Sequence, residues 1–375
     1  MEKTLRNPMF RYLMVLTIAS VVGLQGWRTL FNNFAVEQAY LEGFHIGIIQ
    51  GIREVPGFLT LLAIYVMLII REHRLSAISV LILAAGVTCT GFFPNFAGLI
   101  VTTLVMSFGF HYYETTNQSL TLQYFDKATS PWVFGKLKSL SSAANIGIGL
   151  TILLMSNFMS YTQMYVLIGV TVAAAGIWAL REDPTSVDIV PQHKKMIFRK
   201  KYWLFYLLTF LAGARRQIFV AFAVFLMVKV FKYSIQMVTI LFVVNNVVNY
   251  FLAPMIGKAI IHFGERKVLS LEYFSLVFIF IAYAFTDSAI AVGILYVLDH
   301  VFFNFAIAIR TFFQKIADPA DIAPSMAVGF TINHIAAVAI PAFGGLLWMV
   351  DYKIPFIAGA CLSTLSLVAV QRIKV

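Results

Sequence analysis

Charged residues are scarce in this sequence. Only 12% of the 375 residues are charged, whereas an ordinary soluble domain has about 25%. Apolar residues make up 60% of the chain, and a soluble protein of this size could not bury that much apolar surface. A lipid bilayer can cover it, because each spanning helix needs roughly 20 predominantly apolar residues. The composition therefore predicts an all-α integral membrane protein.

Residue patterns that carry catalysis or bind cofactors are also missing. The two cysteines, Cys89 and Cys361, lie in distant apolar segments and suggest neither a disulfide framework nor a metal site. The sequence has no phosphate-binding glycine loop, no His-Glu-x-x-His motif and no nucleophile elbow. We therefore expect no enzymatic activity, no cofactor and no resident metal. Basic residues beside membrane helices explain the net charge of +11, so we expect no nucleic-acid partner.

Twelve apolar segments are long enough to cross a bilayer. They cover about 9–34, 44–70, 75–93, 97–124, 134–157, 162–180, 202–229, 235–262, 267–286, 289–314, 324–349 and 354–371. The longest link, residues 181–201, is polar and basic and contains two prolines, which is typical of a linker. The sequence thus predicts one six-helix bundle in residues 1–180, a cytoplasmic linker in 181–201 and a second six-helix bundle in 202–375.

The basic residues predict the orientation of these helices. They concentrate in both terminal segments, in the linker and in every second loop, while the opposite loops hold only Lys229, Lys232 and Lys353. Because basic loops stay in the cytoplasm, both termini and the linker are predicted to be cytoplasmic. We expect a monomer that passes repeatedly through the lipid bilayer of a bacterial inner (plasma) membrane.

The two halves share a sequence repeat. The stretch "RTLFNNFAV" (28–36) matches "RQIFVAFAV" (216–224) at five identical positions, and the loop "EHRLS" (72–76) matches "ERKVLS" (265–270) with one insertion. Both pairs keep the same position within their half and the same charge pattern. The sequence therefore predicts a parallel repeat of six helices.

One loop resembles a family signature. The stretch "GKAIIHFGERKVL" (257–269) resembles the G-x-L-A-D-R-x-G-R-K-x-x-L loop of the major facilitator superfamily, with Ile261 in place of its aspartate. Gly257, Gly264 and Leu269 are identical to the signature, and Arg266 and Lys267 supply its basic pair one position later. The resemblance implies the fold of that family: twelve transmembrane helices in two pseudo-symmetric six-helix bundles around a central cavity, with alternating access. It also implies that Gly257, Gly264, Arg266 and Lys267 belong to a cytoplasmic gate loop.

Several polar side chains interrupt the apolar segments. An ionisable group at the bilayer centre costs at least about 2.5–3.5 kcal/mol, so such groups usually face water or a partner and serve a function. His111, Glu114 and Gln118 share one face of the fourth segment because they are spaced i, i+3 and i+7. We predict substrate-binding roles for Arg28, Asn32, His111, Gln118, Arg216, Asn245, Asn249 and Asn304. We predict proton-coupling roles for Glu114, Glu54 and Asp299.

The arginines allow two interpretations. Arg28 and Arg216 correspond in the repeat, and two guanidinium groups facing one cavity would favour an anionic substrate. Alternatively, each arginine pairs within its own half, with Glu54 or Glu114 in the first and with Asp299 in the second. Glu114 could then be a structural counter-ion. The neighbours Arg53 and Glu54 are expected not to pair, because successive side chains on a helix point about 100° apart.

These features together predict a secondary transporter of a small solute, with an organic anion as the leading candidate. Since no phosphate-binding loop is present, the energy is expected to come from a gradient, and the proton is the expected coupling ion. Efflux of drugs and other amphiphiles is the alternative within the same class. A non-transporting membrane sensor is less favoured, because the sequence shows no soluble domain or long tail for signalling.

Overall fold

The computed structural model describes residues 2–186, 189–193 and 195–374, and every regular element in these ranges is a helix. Eleven helices or continuous helical runs among the described residues are long and apolar enough to cross a membrane. Each apolar segment predicted from the sequence coincides with a helix, and the predicted fold class is confirmed.

The helices of the first half are α1 (Pro8–Glu37), α2 (Gly43–Phe58), α3 (Glu72–Thr90), α4 (Phe96–Tyr124), α5 (Ser130–Met155) and α6 (Tyr161–Arg181). Those of the second half are α7 (Trp203–Ile218), α8 (Ile235–Phe263), α9 (Glu265–Phe285), α10 (Ala289–Phe303), α11 (Ile322–Val350) and α12 (Lys353–Val370). A short helical turn, Glu2–Leu5, precedes them.

Three of these helices continue beyond a local change of geometry. α2 is followed by a 3₁₀ turn, Leu59–Leu62, and by Ala63–Val66. α7 passes through a π-helical turn, Phe219–Ala223, into Val224–Lys229. α10 passes through a 3₁₀ turn, Asn304–Ala306, into Ile307–Ile316. Such turns often occur near functional sites, and the turns after α7 and α10 lie close to the predicted residues Arg216 and Asn304.

Short polar side chains begin several helices. Asn95 accepts a hydrogen bond from the Gly98 backbone N–H (2.9 Å) at the start of α4. Ser160 and Gln163 form a reciprocal capping box at the start of α6, with distances of 3.3 and 2.9 Å. These caps satisfy backbone donors that have no partner inside the helix. Polar link residues therefore set the helix starts between the apolar segments.

The chain forms two compact units. Unit 1 contains the residues up to 125 together with 140–197 and 319–331, and unit 2 contains 126–139, 198–318 and the residues from 332 onward. The start of α5 thus packs with helices of the second half, and the start of α11 packs with helices of the first half. The bundle boundaries at 180 and 202 stay a prediction.

Glycines allow close helix packing inside unit 1. A Cβ atom on Gly109 in α4 would lie 2.2 Å from the Leu83 backbone N, and one on Gly86 in α3 would lie 2.3 Å from the Met106 backbone N. The backbones of α3 and α4 therefore touch at two levels. Small residues at helix contacts are the usual means of tight packing between membrane helices.

Glycines also allow close packing between α5 and α8 in unit 2. A Cβ atom on Gly135 would lie 2.3 Å from the Ala253 carbonyl oxygen, and one on Gly257 would lie 2.4 Å from the Pro131 carbonyl oxygen. Ser139 also donates a hydrogen bond to the Tyr250 carbonyl (2.6 Å). The first third of α5 is therefore fixed along α8.

Part of the predicted linker packs on unit 1. The Gln192 side chain donates to the Pro319 carbonyl and accepts from the Ala323 N–H, both at 2.9 Å. The ring of His193 lies 2.7 Å from the carboxylate of Asp321, which is fully buried. The linker thus contacts the start of α11 through polar groups.

Asp183 holds the beginning of the linker. Thr185 donates side-chain and backbone hydrogen bonds to the Asp183 carboxylate, and these bonds lower its pKa. The carboxylate also lies 3.9 Å from Arg71 and from the His73 ring. Because this pKa is depressed, ionised Asp183 stabilises the folded protein. This stabilisation is fully present above the ordinary aspartate pKa and is lost as the pH falls through the depressed value.

The packing of α3 on α4 gives the first prediction. Replacing Gly109 by Ala forces a methyl group onto the backbone of α3, so the free energy of unfolding should fall by about 1–3 kcal/mol. Gly149→Ala in α5 is the matched control, because its Cβ meets nothing within 4 Å. Thermal unfolding in detergent measures both. A midpoint for Gly109→Ala at or above that of Gly149→Ala would contradict the packing.

Candidate functional site

The predicted polar face of α4 is present in unit 1. His111 and Gln118 are 6% and 7% exposed, and Gln118 Nε2 donates to Glu114 Oε1 at 3.1 Å. Glu114 itself is half-buried. The i, i+3, i+7 spacing therefore produces one row of hydrogen-bonding groups within an otherwise apolar helix.

The expectation that Arg53 and Glu54 do not pair is wrong. Arg53 Nη2 lies 2.7 Å from Glu54 Oε1, and both side chains are about one-fifth exposed. The backbone directions of neighbouring residues diverge, but the guanidinium has a long flexible stem and folds back onto the carboxylate. Pairing is favourable here because an isolated charge at this depth would be costly.

Glu54 also connects α2 with α4. A carboxylate oxygen of Glu54 and a ring nitrogen of His111 lie within 4.8 Å of each other. Two predicted residues on different helices of unit 1 therefore come together. The resulting group of Arg53, Glu54 and His111 combines a cation, an anion and an imidazole, so it can both donate and accept hydrogen bonds.

Arg28 and Asn32 lie on an exposed face of α1. Arg28 is about 8 Å from the middle of this 30-residue helix, inside the roughly 15 Å half-thickness of a hydrocarbon core. Its side chain leaves the protein interior at a depth where contact with lipid would be expensive. An exposed guanidinium at this depth is stable where water can reach it.

Arg216 has the corresponding position in unit 2. It is exposed and lies about 2 Å from the middle of the helical run Lys200–Lys229. Its neighbour Arg215 is fully buried. The two adjacent arginines thus point in different directions, and only Arg216 reaches the surface of its unit.

A second polar cluster lies between α8 and α10 in unit 2. Asn249 Nδ2 is 2.7 Å from His300 Nε2, and Asn304 Nδ2 donates to Asn249 Oδ1 at 2.6 Å. Lys138, at the start of α5, acts electrostatically on His300. Two predicted residues, Asn249 and Asn304, are therefore joined, and the imidazole of His300 completes the chain of hydrogen bonds.

Asn245 lies one helical turn away from Asn249. It is 1% exposed, and neither atom of its amide has a hydrogen-bond partner among the described residues. Its neighbour Asn246 donates to the Phe242 carbonyl at 2.9 Å. A buried amide without a partner costs about 1–3 kcal/mol, so Asn245 favours the binding of water or of a polar solute beside it.

The remaining predicted acid, Asp299, belongs to a buried charge cluster. Arg215 Nη2 lies 3.5 Å from Glu272 Oε1, and both side chains are 0% exposed. The guanidinium also donates to Ser366 Oγ and lies over the Tyr273 ring, 4.4 Å from its centroid. Asp299 is 0% exposed and interacts electrostatically with Arg215 and Glu272. The cluster thus holds one cation and two acids.

Of this cluster, the sequence predicted a functional role for Asp299 but not for Arg215 or Glu272. Glu272 stands alone in the apolar stretch "LSLEYFSLVF", and a single acid has no spacing pattern that a sequence can reveal. The sequence repeat pointed to Arg216, but the arginine that is buried in this cluster is Arg215. The only available signal was the presence of an acid in a predicted spanning segment.

The predicted gate loop is a tight connection between α8 and α9. Gly264 has φ +79°, a conformation that favours glycine, and it joins the end of α8 directly to α9. Arg266 donates twice to Gln371 Oε1, at 3.2 and 3.1 Å, and Lys267 is exposed. Gly257 packs on the Pro131 carbonyl.

A buried acid lies next to this loop. Glu265 is 1% exposed, and its Oε2 accepts a hydrogen bond from Lys315 Nζ at 2.7 Å. Ile261, which stands where the family signature has aspartate, is 43% exposed. In this loop the acidic partner is therefore the first residue of α9, four positions further along the chain.

Comparison with known proteins identifies the family. The family model of the major facilitator superfamily matches residues 14–341. No curated protein matches the sequence of this chain.

Solved structures share the fold over nearly the whole chain. The E. coli fucose:proton symporter FucP is similar with a TM-score of 0.76 and 13% identity, over 98% of each chain. The human organic anion transporter MFSD10 gives 0.78 and 10% identity, over 97% of this chain and 99% of that one. A bacterial homologue of the iron transporter ferroportin gives 0.78 and 12% identity, over 97% and 98%. Identities this low show the fold alone.

The pair of Glu265 and Lys315 gives the second prediction. Lys315→Met leaves the buried Glu265 carboxylate without its cation, so the free energy of unfolding should fall by about 1–3 kcal/mol. The double variant Glu265→Gln/Lys315→Met removes both charges and should recover part of this loss. Thermal unfolding measures each, with Arg266→Gln as the exposed control. Independent, additive effects of the two substitutions would show that the ion pair is not formed.

Proposed function

Because this chain belongs to the major facilitator superfamily, we propose that it is a secondary active transporter of a small organic anion. It works by alternating access and takes its energy from the proton gradient. The family is one of transporters, and the integral membrane fold agrees with that role. The fold also accommodates both parts of the proposal, since one structural neighbour is an organic anion transporter and another is a sugar:proton symporter.

The observation that carries the proposal is the exposure of Arg28 and Arg216 at membrane depth. A guanidinium at this depth is tolerated when it faces water, so each unit exposes a cation to a hydrated surface. Guanidinium groups bind carboxylate or phosphate through two parallel hydrogen bonds. In either unit, such a group favours a solute that carries negative charge.

Neutral polar groups complete the recognition of the solute. His111 and Gln118 in unit 1, and Asn245, Asn249 and Asn304 in unit 2, offer both donors and acceptors. Within each unit they suit hydroxyl, amide or carbonyl groups of a solute. The unpartnered amide of Asn245 has the strongest reason to take part, because binding would satisfy it.

The three predicted proton-coupling acids differ in their surroundings. Glu54 is ion-paired with Arg53, and Glu114 accepts a hydrogen bond from Gln118. Asp299 is fully buried, and neither carboxylate oxygen has a hydrogen-bond partner among the described residues. A buried carboxyl group without hydrogen-bond partners favours its neutral, protonated form, so Asp299 is the favoured proton carrier of the three.

A second candidate function is efflux of apolar amphiphiles. Unit 1 has a cavity of about 300 Å³ lined by apolar side chains of α1, α5 and α6, including Ile18, Ile148 and Ile168. Its lining would suit an alkyl or aromatic group. This function would not require Arg28 or Arg216, so the arginine variants distinguish the two candidates.

Anion recognition gives the third prediction. A thermal-shift screen of purified protein against small carboxylates, organic phosphates, sugars and amphiphilic cations should find stabilisation by an anion, because a ligand of the folded state stabilises it. Arg216→Gln and Arg28→Gln should each weaken binding of that anion roughly ten- to a hundred-fold, since hydrogen bonds to charged groups contribute about 1.5–3 kcal/mol.

Arg266→Gln is the matched control, because it removes the same charge from an exposed loop and should leave affinity unchanged. Stabilisation by amphiphilic cations, with unchanged affinity in Arg28→Gln and Arg216→Gln, would reject anion transport in favour of efflux. Unchanged thermal stability of the variants separates lost recognition from lost folding.

Proton coupling gives the fourth prediction. Proteoliposomes with an imposed pH gradient should accumulate the identified solute above its equilibrium level, and a protonophore should remove the excess. Equilibrium exchange of the solute in the absence of a gradient provides the control for functional protein. Accumulation that is unaffected by the protonophore would exclude the proton as the coupling ion.

A further inference from the structure

We propose that Glu272, Asp299 and Arg215 form one buried proton-binding site in unit 2, in which the two carboxyl groups share a single proton. The inference rests on the proposed function for its role in coupling, but the site itself can be tested without transport. Glu272 and Arg215 thereby gain a role in proton binding, and a pair of acids takes the place of Asp299 alone.

The guanidinium of Arg215 is held in a fixed position inside the cluster. Arg215 comes from α7, Glu272 from α9 and Asp299 from α10, and all three side chains are 0% exposed. The guanidinium is fixed on three sides by Glu272 at 3.5 Å, by Ser366 Oγ of α12 and by the face of the Tyr273 ring. Arg215 therefore has little freedom to leave Glu272, and it also acts electrostatically on Asp299.

The cluster contains two acids and one cation, so its charges do not balance when both acids are ionised. With both acids ionised, the cluster would carry a net charge of −1 in a buried, membrane-embedded position. With one proton bound, Arg215 balances one carboxylate and the other carboxyl is neutral. An uncompensated buried charge is strongly disfavoured, and two neighbouring acids that cannot both ionise titrate as a pair. The closed packing of unit 2 therefore favours one bound proton.

Among the described residues, the other ionisable groups on these and neighbouring helices contact other partners or are exposed, as Arg216 is on α7. On the run Ile307–Ile316, Arg310 lies over the Phe134 ring and Lys315 pairs with Glu265. Lys138 of α5 acts on His300, and Lys258 and His262 of α8 are exposed. On α12 the titratable groups are Lys353 at its start and Cys361, which is exposed. The tyrosines that face the acids, Tyr273 and Tyr283, are neutral hydroxyl groups.

The same helix α9 provides a contrasting pair. Glu265 is as buried as Glu272, but it has its own lysine at 2.7 Å, so that pair is already balanced without a proton. Of the two groups on α9, the cluster around Arg215 has more acids than cations. This difference makes Glu265 a matched control on the same element.

Protonation of this cluster is coupled to conformation. When the proton binds, an O–H bond forms on one carboxylate and the net charge changes from −1 to zero; release reverses both changes. Because the deprotonated cluster needs water or a new cation, release is favoured only in a conformation that opens the packing around α7, α9 and α10. A proton that prefers one conformation shifts the equilibrium between conformations, which is the basis of coupling.

Infrared difference spectroscopy of the reconstituted full chain tests the site. At neutral pH the wild type should show the carbonyl stretch of one buried protonated carboxylic acid. Glu272→Gln and Asp299→Asn should each remove this band, because each leaves one acid balanced by Arg215. Glu265→Gln should keep it. Loss of the band in only one of the two variants, or its absence in the wild type, would overturn the shared proton.

Transport measurements then test the coupling. Glu272→Gln and Asp299→Asn should retain solute exchange without a pH gradient but lose accumulation driven by the gradient, while Glu265→Gln retains both. Unchanged gradient-driven accumulation in Glu272→Gln would overturn the role of the pair. Absence of solute exchange in the wild type would instead reject the proposed transport function, while leaving the spectroscopic result in place. Arg215→Gln, if it folds, should strengthen the acid band, because both carboxyls then lack a cation.

Discussion

The cost of placing charge in a low-dielectric environment is the constraint on which this structure depends. Charged side chains within the described helices meet this cost in different ways. Arg53 with Glu54, and Arg215 with Glu272, have a partner inside their own unit. Arg28 and Arg216 lie on exposed faces of their helices. A buried pair stabilises a helix bundle, whereas an exposed position is compatible with the proposed contact with a solute.

Pairing within a half occurs in this structure. The buried ion pair of the second half joins Arg215 to Glu272. Adjacent residues on a helix point about 100° apart, so one arginine can be buried while its neighbour is exposed. The pair "RR" therefore combines a structural cation and a candidate recognition cation at one level of α7. The proposed anion binding is compatible with internal pairing of Arg215.

The sequence predicts the fold well and the site only in part. Apolar runs and caps such as Asn95 and Ser160 define helices, because the bilayer requires every spanning segment to satisfy its own backbone. The polar row of α4 also follows from spacing, since His111 and Gln118 lie on one face of one helix. Contacts between helices cannot be predicted from the spacing of residues along one helix. Glu272 has no repeated pattern, and its partners come from α7, α10 and α12, so only the tertiary structure brings them together.

In the proposed mechanism, the position of the buried cluster lets a proton act on a solute that it does not touch. Asp299 and His300 are neighbours on α10, yet Asp299 interacts with Arg215 and Glu272 while His300 binds Asn249. One helix thus has a charge-sensitive side and a hydrogen-bonding side at the same level, and a 3₁₀ turn follows at Asn304. A change in the charge of the first side shifts the preferred packing of α10, and the same movement displaces the amides and the imidazole on the second. Coupling then requires only that proton binding and solute binding both shift the preferred position of α10.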